Sequence, residues 1–137
     1  MVYFEKTAEA PASLAREKRK GGNGSYREED VISLLDKDFC GKCYICETKR
    51  PTGINIEHFI PHRNNIDLMF DWKNLFLSCP HCNNAKEMLT RKLDHTDGFL
   101  NCTVAEDRVD ECISYRIEVD SRMISTVRIA TAESGTP

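Results

Sequence analysis

The chain has 137 residues, of which 40% are hydrophobic and 30% charged, and its formal net charge is −3 at pH 7. This length suits one domain with a short extension, and the net charge excludes a strongly basic surface over the whole protein. No apolar run approaches the roughly 20 residues that a membrane-spanning helix requires. The N-terminus lacks the basic and apolar regions of a secretory signal, so we expect a cytoplasmic protein.

Charge is distributed unevenly along the chain. Residues 1–42 carry eight basic and eight acidic residues, residues 43–92 carry seven and five, and residues 93–137 carry four and nine. A surface that binds phosphate is therefore expected in the middle of the chain, where the weak excess suggests that a partner supplies much of the affinity. We predict an N-terminal arm and helix at 1–42, a central core at 43–92 and an acidic C-terminal extension at 93–137.

Two helices are predicted in the N-terminal region, after a possible short strand at residues 1–6. The first spans residues 12–20, and its basic end runs into the glycine-rich breaker at 21–25, which favours a flexible, solvated arm. The second spans about residues 26–39, with Ser25 as N-cap and Glu28 at the capping-box spacing.

The middle of the chain predicts two strands and a helix. Residues 54–59 form a strand closed by Pro61, residues 62–73 form a polar loop, and residues 75–77 form a second strand. Trp72 and Phe76 are expected in the core.

A helix is predicted at residues 83–92, because Pro80 suits a helix start and three apolar side chains recur at helical spacing. These side chains, expected to face the core, are Ala85, Met88 and Leu89. Farther on, residues 113–119 and 123–129 both alternate, and the turn-like residues between them predict a C-terminal hairpin.

Seven cysteines are more than an ordinary cytosolic core of this size needs. Four of them form two Cys-x-x-Cys pairs, Cys43/Cys46 and Cys79/Cys82. Reducing compartments disfavour disulfides, and four thiolates form a closed tetrahedral site, so we predict a structural Zn²⁺.

The remaining cysteines have other interpretations. Cys40/Cys43 is a possible alternative pair, although Cys40 belongs to the predicted helix end. Cys102 and Cys112 are isolated and are interpreted as core or near-surface thiols, and His81 as an exposed residue of the second knuckle.

Polar residues with the chemistry of phosphodiester hydrolysis lie between and beside the two cysteine pairs. His58 is a suitable general base near neutral pH, since an unperturbed imidazole has a pKa of about 6.5. The carboxylate of Glu57 and the amide oxygen of Asn83 suit a hard cation such as Mg²⁺, which would stabilise charge on the phosphate. Lys86, one helical turn after Asn83, is expected to contact phosphate, and His62 to lie at the substrate rim.

The order of these residues resembles that of the HNH, or ββα-metal, endonucleases. The matching text is IEHFIP, then WKNLFLSCPHCNNAK, framed by CYIC. The resemblance implies an α+β fold whose ββα-metal core is stapled by the four-cysteine zinc, with an N-terminal helix and a C-terminal hairpin around it. It also implies that His58 takes a proton from water, that Glu57 and Asn83 hold a divalent ion, and that Asn74 orients the histidine across the loop.

One position departs from the family pattern. Many members have a second histidine where this chain has Asn83. An amide oxygen in that place favours Mg²⁺ or Mn²⁺ over a transition metal bound by histidine.

A narrower resemblance extends outside the core. VYFEKTAEAPASL, KCYICE, NIEHFIPH and LDHTD resemble the PtuB group, the HNH subunit of Septu-type and retron-associated antiphage systems. This likeness implies a bacterial cytoplasmic nuclease, with no membrane partner, that works with a PtuA-like ATPase of the ABC/SMC class. It favours DNA as substrate, while RNA such as tRNA remains open because the same residues cleave either backbone.

Other interpretations remain open from the sequence alone. The chain as a whole could be a zinc-knuckle binding module without catalysis. His58 could be a core histidine, Glu57 could pair with Arg63 or Lys86 in a structural salt bridge, Asn74 could be a turn residue, and Asn83 could be a helix cap.

Overall fold

The computed structural model describes residues 1–93 and 99–113. Apart from Ile113, the predicted C-terminal hairpin lies outside these residues. By their internal contacts the described residues form two units: Phe4–Phe99 is one, and Met1–Tyr3 with the residues from Leu100 onward is the other. The division into regions 1–42, 43–92 and 93–137 stays a prediction.

The chain is a small α+β protein with one two-stranded sheet among the described residues. None of its described helices is both long and apolar enough to cross a membrane. In chain order, the helices and strands are α1 (Ala12–Lys18), α2 (Glu29–Asp38), β1 (Asn55–His58), α3 (Ile66–Met69), β2 (Leu75–Ser78), α4 (Pro80–Leu93) and α5 (Val109–Cys112), with short 3₁₀ turns at Gly21–Asn23, Trp72–Asn74 and Ala105–Asp107.

The two strands pair antiparallel and confirm the predicted sheet. Their register runs from Asn55 opposite Ser78 to His58 opposite Leu75. Every residue of β2 is buried, whereas in β1 only the central Ile56 and Glu57 are buried. The sheet therefore places a buried carboxylate next to a half-exposed histidine at the end of β1.

An aromatic cluster forms the core beneath the sheet. Phe39, just after α2, packs on Phe76 of β2 with ring centroids 5.5 Å apart, and Tyr44 packs on the same ring at 4.9 Å. Phe4 reaches Phe39 at 5.0 Å. Aromatic pairs at these distances contribute about 0.5–1.5 kcal/mol beyond their area burial. Trp72 is also buried, so the core prediction for Trp72 and Phe76 is confirmed.

The N-terminal residues differ from their predictions in two places. Residues 1–6 form no strand, and α2 begins at Glu29 with Glu28 as N-cap rather than with a capping box at Ser25. The backbone N–H of Ser25 donates to the carboxylate of Glu17, and its hydroxyl accepts from the N–H of Arg27. These tertiary and local bonds hold Ser25 in a turn before the helix.

Helix α4 buries a polar face instead of the predicted apolar one. Met88 is 73% exposed and Leu89 44% exposed, and Ala85 is exposed too. The buried positions are Cys82, Lys86 and Thr90, which recur every four residues. The prediction was wrong because the groups facing the sheet are a thiol and polar side chains rather than hydrocarbon.

Gly24 has no room for a side chain, which supports a stability prediction. A Cβ at this position would lie 2.1 Å from the backbone oxygen of Glu17 and 2.9 Å from the ring of Phe70. We expect Gly24→Ala to lower the free energy of unfolding by about 1–3 kcal/mol, because the backbone must move. Urea unfolding followed by fluorescence measures the change.

Gly22→Ala is the matched control for this substitution. A Cβ at Gly22 meets no described atom within 4 Å, so the same change there is expected to leave stability nearly unaltered. Equal unfolding midpoints for the two variants would show that the 21–25 turn is not packed against α1.

Candidate active site

Four thiols converge at the base of the hairpin. The Sγ atoms of the two predicted pairs, Cys43/Cys46 and Cys79/Cys82, all lie within 4.8 Å of one another, and those of Cys46 and Cys79 are 3.9 Å apart. A tetrahedral ion with bonds of about 2.3 Å keeps its sulfurs about 3.8 Å apart, so the cluster fits a metal ion, and four thiolates are typical ligands of structural zinc. Cys40 is exposed and does not belong to the cluster.

Backbone hydrogen bonds hold both pairs in place. The N–H of Tyr44 donates to Leu77 O, which ties the first knuckle to β2, and the N–H of Asn83 donates to Cys79 O at the start of α4. Burial raises the pKa of Cys46, but hydrogen bonds with Thr48, Cys43 and Cys82 together outweigh it and lower that pKa to about 7. The cluster joins the segment before β1 to the helix after β2.

An open cleft of about 410 Å³ lies beside the end of β1. It brings together five of the predicted site residues, namely Glu57, His58, His62, Asn83 and Lys86. Asn83 is half-buried and begins the second turn of α4. The cleft is therefore lined by an imidazole, a carboxylate and an amide, of which the carboxylate is buried.

His58 is half-buried and held in one tautomer. Its Nε2 lies 3.0 Å from the carbonyl oxygen of Met69. Because a carbonyl can only accept, Nε2 carries the proton and Nδ1 keeps its lone pair. Burial lowers the pKa of His58, and nearby positive charges act in the same direction. The ring is therefore neutral near pH 7 and able to accept a proton.

Asn74 lies outside the cleft and holds the loop that supports His58. Its buried side chain accepts from the N–H of Ile60 at 2.7 Å and donates to the carbonyls of Ile60 at 2.9 Å and Leu68 at 3.2 Å. Leu68 precedes Met69, whose carbonyl binds the imidazole. Asn74 therefore connects β2 to both ends of the loop that follows β1.

Glu57 and Lys86 form a buried ion pair with 2.8 Å between Oε1 and Nζ, which is one of the pairings left open from the sequence. The ammonium also donates to the carbonyls of Phe59 at 2.7 Å and His58 at 3.3 Å. Removing one partner of such a pair typically costs about 3–5 kcal/mol. In this geometry Lys86 binds protein oxygens and joins the end of β1 to α4.

The carboxylate of Glu57 keeps one oxygen available. Oε2 is buried without a hydrogen-bond partner among the described residues. Burial raises the pKa of Glu57, while the ammonium of Lys86 and the hydroxyl of Tyr44 oppose this rise. The carboxylate of Glu57 and the side-chain amide of Asn83 line one cleft, and their oxygens are of the kind that Mg²⁺ and Mn²⁺ prefer.

The segment that forms most of this site matches a known protein family. Residues 40–88 match the family model of the HNH endonucleases. The chain carries an HNH endonuclease domain. Such a domain indicates a nuclease, which is a phosphodiester hydrolase, and the match contains the hairpin, the four cysteines and the first half of α4.

Two curated relatives resemble part of the chain. A Septu protein PtuB of Bacillus mycoides (strain KBAB4) is 36% identical over 76 residues, which cover 44% of this chain and 26% of the relative. A Septu protein PtuB of Bacillus thuringiensis is 30% identical over 78 residues, covering 55% of this chain and 30% of the relative. The chain thus spans less than a third of either relative's own length. No solved structure matches the chain.

Several residues that line the cleft were missed by the sequence motifs. They are Tyr26 and Arg27, which lie outside the HNH match, and Arg63 and Arg91, which lie after β1 and on α4. Tyr26 and Arg27 precede α2 and reach the cleft only through tertiary folding. No periodicity or spacing in the sequence marks them.

Proposed function

We propose that this chain is a metal-dependent HNH endonuclease that hydrolyses phosphodiester bonds in nucleic acid, with DNA favoured over RNA. The observation that carries the proposal is the state of His58. Its Nε2 is occupied by the Met69 carbonyl, and its ring lines an open cleft with Glu57 and Asn83. Hydrolysis of this kind needs a histidine of fixed tautomer next to hard oxygen ligands. A surface that only binds nucleic acid does not need this arrangement.

His58 acts as the general base. Nδ1 takes a proton from a water molecule, whose oxygen attacks phosphorus while the bond from phosphorus to the leaving 3′ oxygen breaks. The lowered pKa keeps Nδ1 unprotonated at neutral pH, which is the state that a base needs. Asn74 positions the imidazole through the loop that ends at Met69.

Glu57 and Asn83 would hold the catalytic ion, Mg²⁺ or Mn²⁺. When bound, such an ion supplies positive charge that stabilises the phosphate and the leaving oxygen. Lys86 fixes Oε1 of Glu57, so Oε2 is the oxygen left for a ligand. We therefore assign Lys86 a positioning role rather than the phosphate contact expected from the sequence. His62 lies at the rim, where substrate would pass.

A Zn²⁺ ion in the four-cysteine cluster is proposed as the structural metal. Four thiolates leave no coordination position open, so this ion would hold the hairpin to α4 without entering the reaction. The four-cysteine site would thus stabilise the fold, and the site at Glu57 and Asn83 would serve catalysis.

The biological setting is proposed from the relatives. Both carry the name Septu protein PtuB, and the motifs of this chain resemble that group. We propose a nuclease of antiphage defence, of the Septu or retron-associated kind, that works with a PtuA-like ATPase of the ABC/SMC class. The modest basicity of residues 43–92 agrees with a partner that contributes to substrate binding.

Plasmid nicking tests the function. Supercoiled DNA and a structured RNA are each incubated with the chain and its partner ATPase in Mg²⁺, in Mn²⁺ and after brief EDTA treatment. We expect metal-dependent cleavage of DNA, with the fluorescence of Trp72 confirming that the EDTA-treated protein remains folded. Cleavage of neither substrate with either metal would favour a zinc-knuckle binding module, and preferential RNA cleavage would reassign the substrate.

A further inference from the structure

The turn before α2 is fixed against α1 and reaches the cleft. Ser25 is bonded to the buried carboxylate of Glu17 at 3.2 Å, and Gly24 lies against the backbone of the same residue. The N–H of Arg27 donates to the hydroxyl of Ser25 at 3.1 Å. The 24–28 segment therefore has a defined position, although it lies outside the HNH match.

Tyr26 packs against the histidines of the cleft. Its ring meets the imidazole of His58 edge-on, with centroids 4.6 Å apart and planes at 81°. His58 in turn meets His62 at 4.6 Å, with planes at 71°. The imidazole is thus held at Nε2 by Met69 and across its ring by Tyr26. Edge-to-face packing of this kind restricts ring rotation without using a ring nitrogen.

Arg27 brings a positive charge to the same cleft. Its side chain is exposed and lines the cleft, and its positive charge helps to lower the pKa of His58. Within the described ranges its guanidinium forms no ion pair, whereas Arg91 is paired with Glu87 at 2.5 Å. A guanidinium without a carboxylate partner is suited to bidentate binding of a phosphate group.

We propose that the 24–28 segment is part of the active site, in which Tyr26 positions the His58 imidazole and Arg27 binds a backbone phosphate of the nucleic-acid substrate. This inference rests on the proposed nuclease function. It adds a substrate contact and a positioning residue from outside the domain that sequence comparison identifies. The phosphate bound by Arg27 would enter at the side of the cleft formed by Tyr26.

Salt-dependent DNA binding tests the role of Arg27. A fluorescently labelled DNA duplex is titrated with Arg27→Ala and with Arg19→Ala in EDTA, over a series of salt concentrations. Arg19 is exposed, lines no described cleft and carries the same charge, so it is the matched control. We expect Arg27→Ala to reduce the slope of log K against log salt by about 0.9, the value of one phosphate contact. In a separate cleavage assay with Mg²⁺, the same variant is expected to raise KM.

The outcomes of this titration separate the two proposals. Equal slopes for the Arg27 and Arg19 variants, with normal wild-type binding, would overturn the inference and leave the nuclease proposal intact. A wild-type protein that neither binds the duplex nor cleaves nucleic acid with its partner would overturn both.

Nitrogen NMR tests the role of Tyr26 independently of cleavage. At pH 8 the wild-type protein and Tyr26→Phe are expected to show a protonated Nε2 and an unprotonated Nδ1 at His58. Tyr26→Ala is expected to show averaged nitrogen shifts, and kcat reduced about 10- to 100-fold by the loss of orientation. Rescue by phenylalanine distinguishes ring packing from a role of the hydroxyl. Unchanged shifts and unchanged kcat in Tyr26→Ala would overturn the positioning role.

Discussion

The His58→Ala variant is expected to keep its zinc and most of its stability while losing cleavage by about 10²- to 10⁴-fold, the usual contribution of a general base. The ring is half-buried, and its described partners are the Met69 carbonyl and the rings of Tyr26 and His62, which are themselves only half-buried, so its removal leaves the buried core intact. Because Nδ1 is the proton acceptor, the loss is expected in kcat rather than in KM. Initial rates of plasmid nicking, zinc content and a thermal melt measure the three quantities.

His81→Ala is the matched control for this experiment. His81 is exposed and lies outside the cleft, so its removal takes away an imidazole without touching the proposed chemistry. We expect the control to cleave at the wild-type rate. Cleavage by His58→Ala at that same rate would exclude His58 as the base and return the site to the alternative of a core histidine.

Loss of the four-cysteine metal is expected to unfold the Phe4–Phe99 unit. Structural zinc contributes apparent free energies of about 10–16 kcal/mol in small zinc domains, which is comparable to the whole stability of a domain, roughly 5–15 kcal/mol. Trp72 is the single tryptophan and is 5% exposed, so its emission reports directly on the core. Cys79→Ser, or prolonged treatment with a zinc chelator, is expected to shift that emission to the red.

Cys40→Ser provides the control for the cysteine substitution. Cys40 is exposed and stands outside the cluster, so this variant is expected to bind one zinc and to retain a buried Trp72. Wild-type emission and melting temperature in zinc-depleted Cys79→Ser would mean that the hairpin is held by its apolar core alone.

The features that the sequence predicted well are those encoded by short-range spacing. The cysteine pairs, the strand that ends at His58 and the strand that begins at Leu75 all follow from residues near one another in the chain. The preference for the pair Cys43/Cys46 over Cys40/Cys43 is also confirmed, because Cys40 lies just after the end of α2 and outside the cluster.

The features that the sequence did not predict depend on contacts between distant segments. Tyr26 contacts His58, 32 positions later in the chain, because the carboxylate of Glu17 fixes the turn that carries Tyr26. Neither Tyr26 nor Glu17 belongs to a recognisable motif. In α4 the apolar pattern pointed to the wrong face, because Lys86 is buried by its pairing with Glu57. Burial of a paired charge cannot be inferred from hydrophobic periodicity.

The aromatic cluster limits how far this protein can be shortened without exposing its core. Phe76 lies inside the segment that matches the HNH family, but Phe39 and Phe4, which complete the cluster, lie before it. A fragment excised at the limits of the match would expose one side of its own core to water. The smallest part of this chain that folds on its own is therefore expected to be larger than residues 40–88, the segment that matches the HNH family.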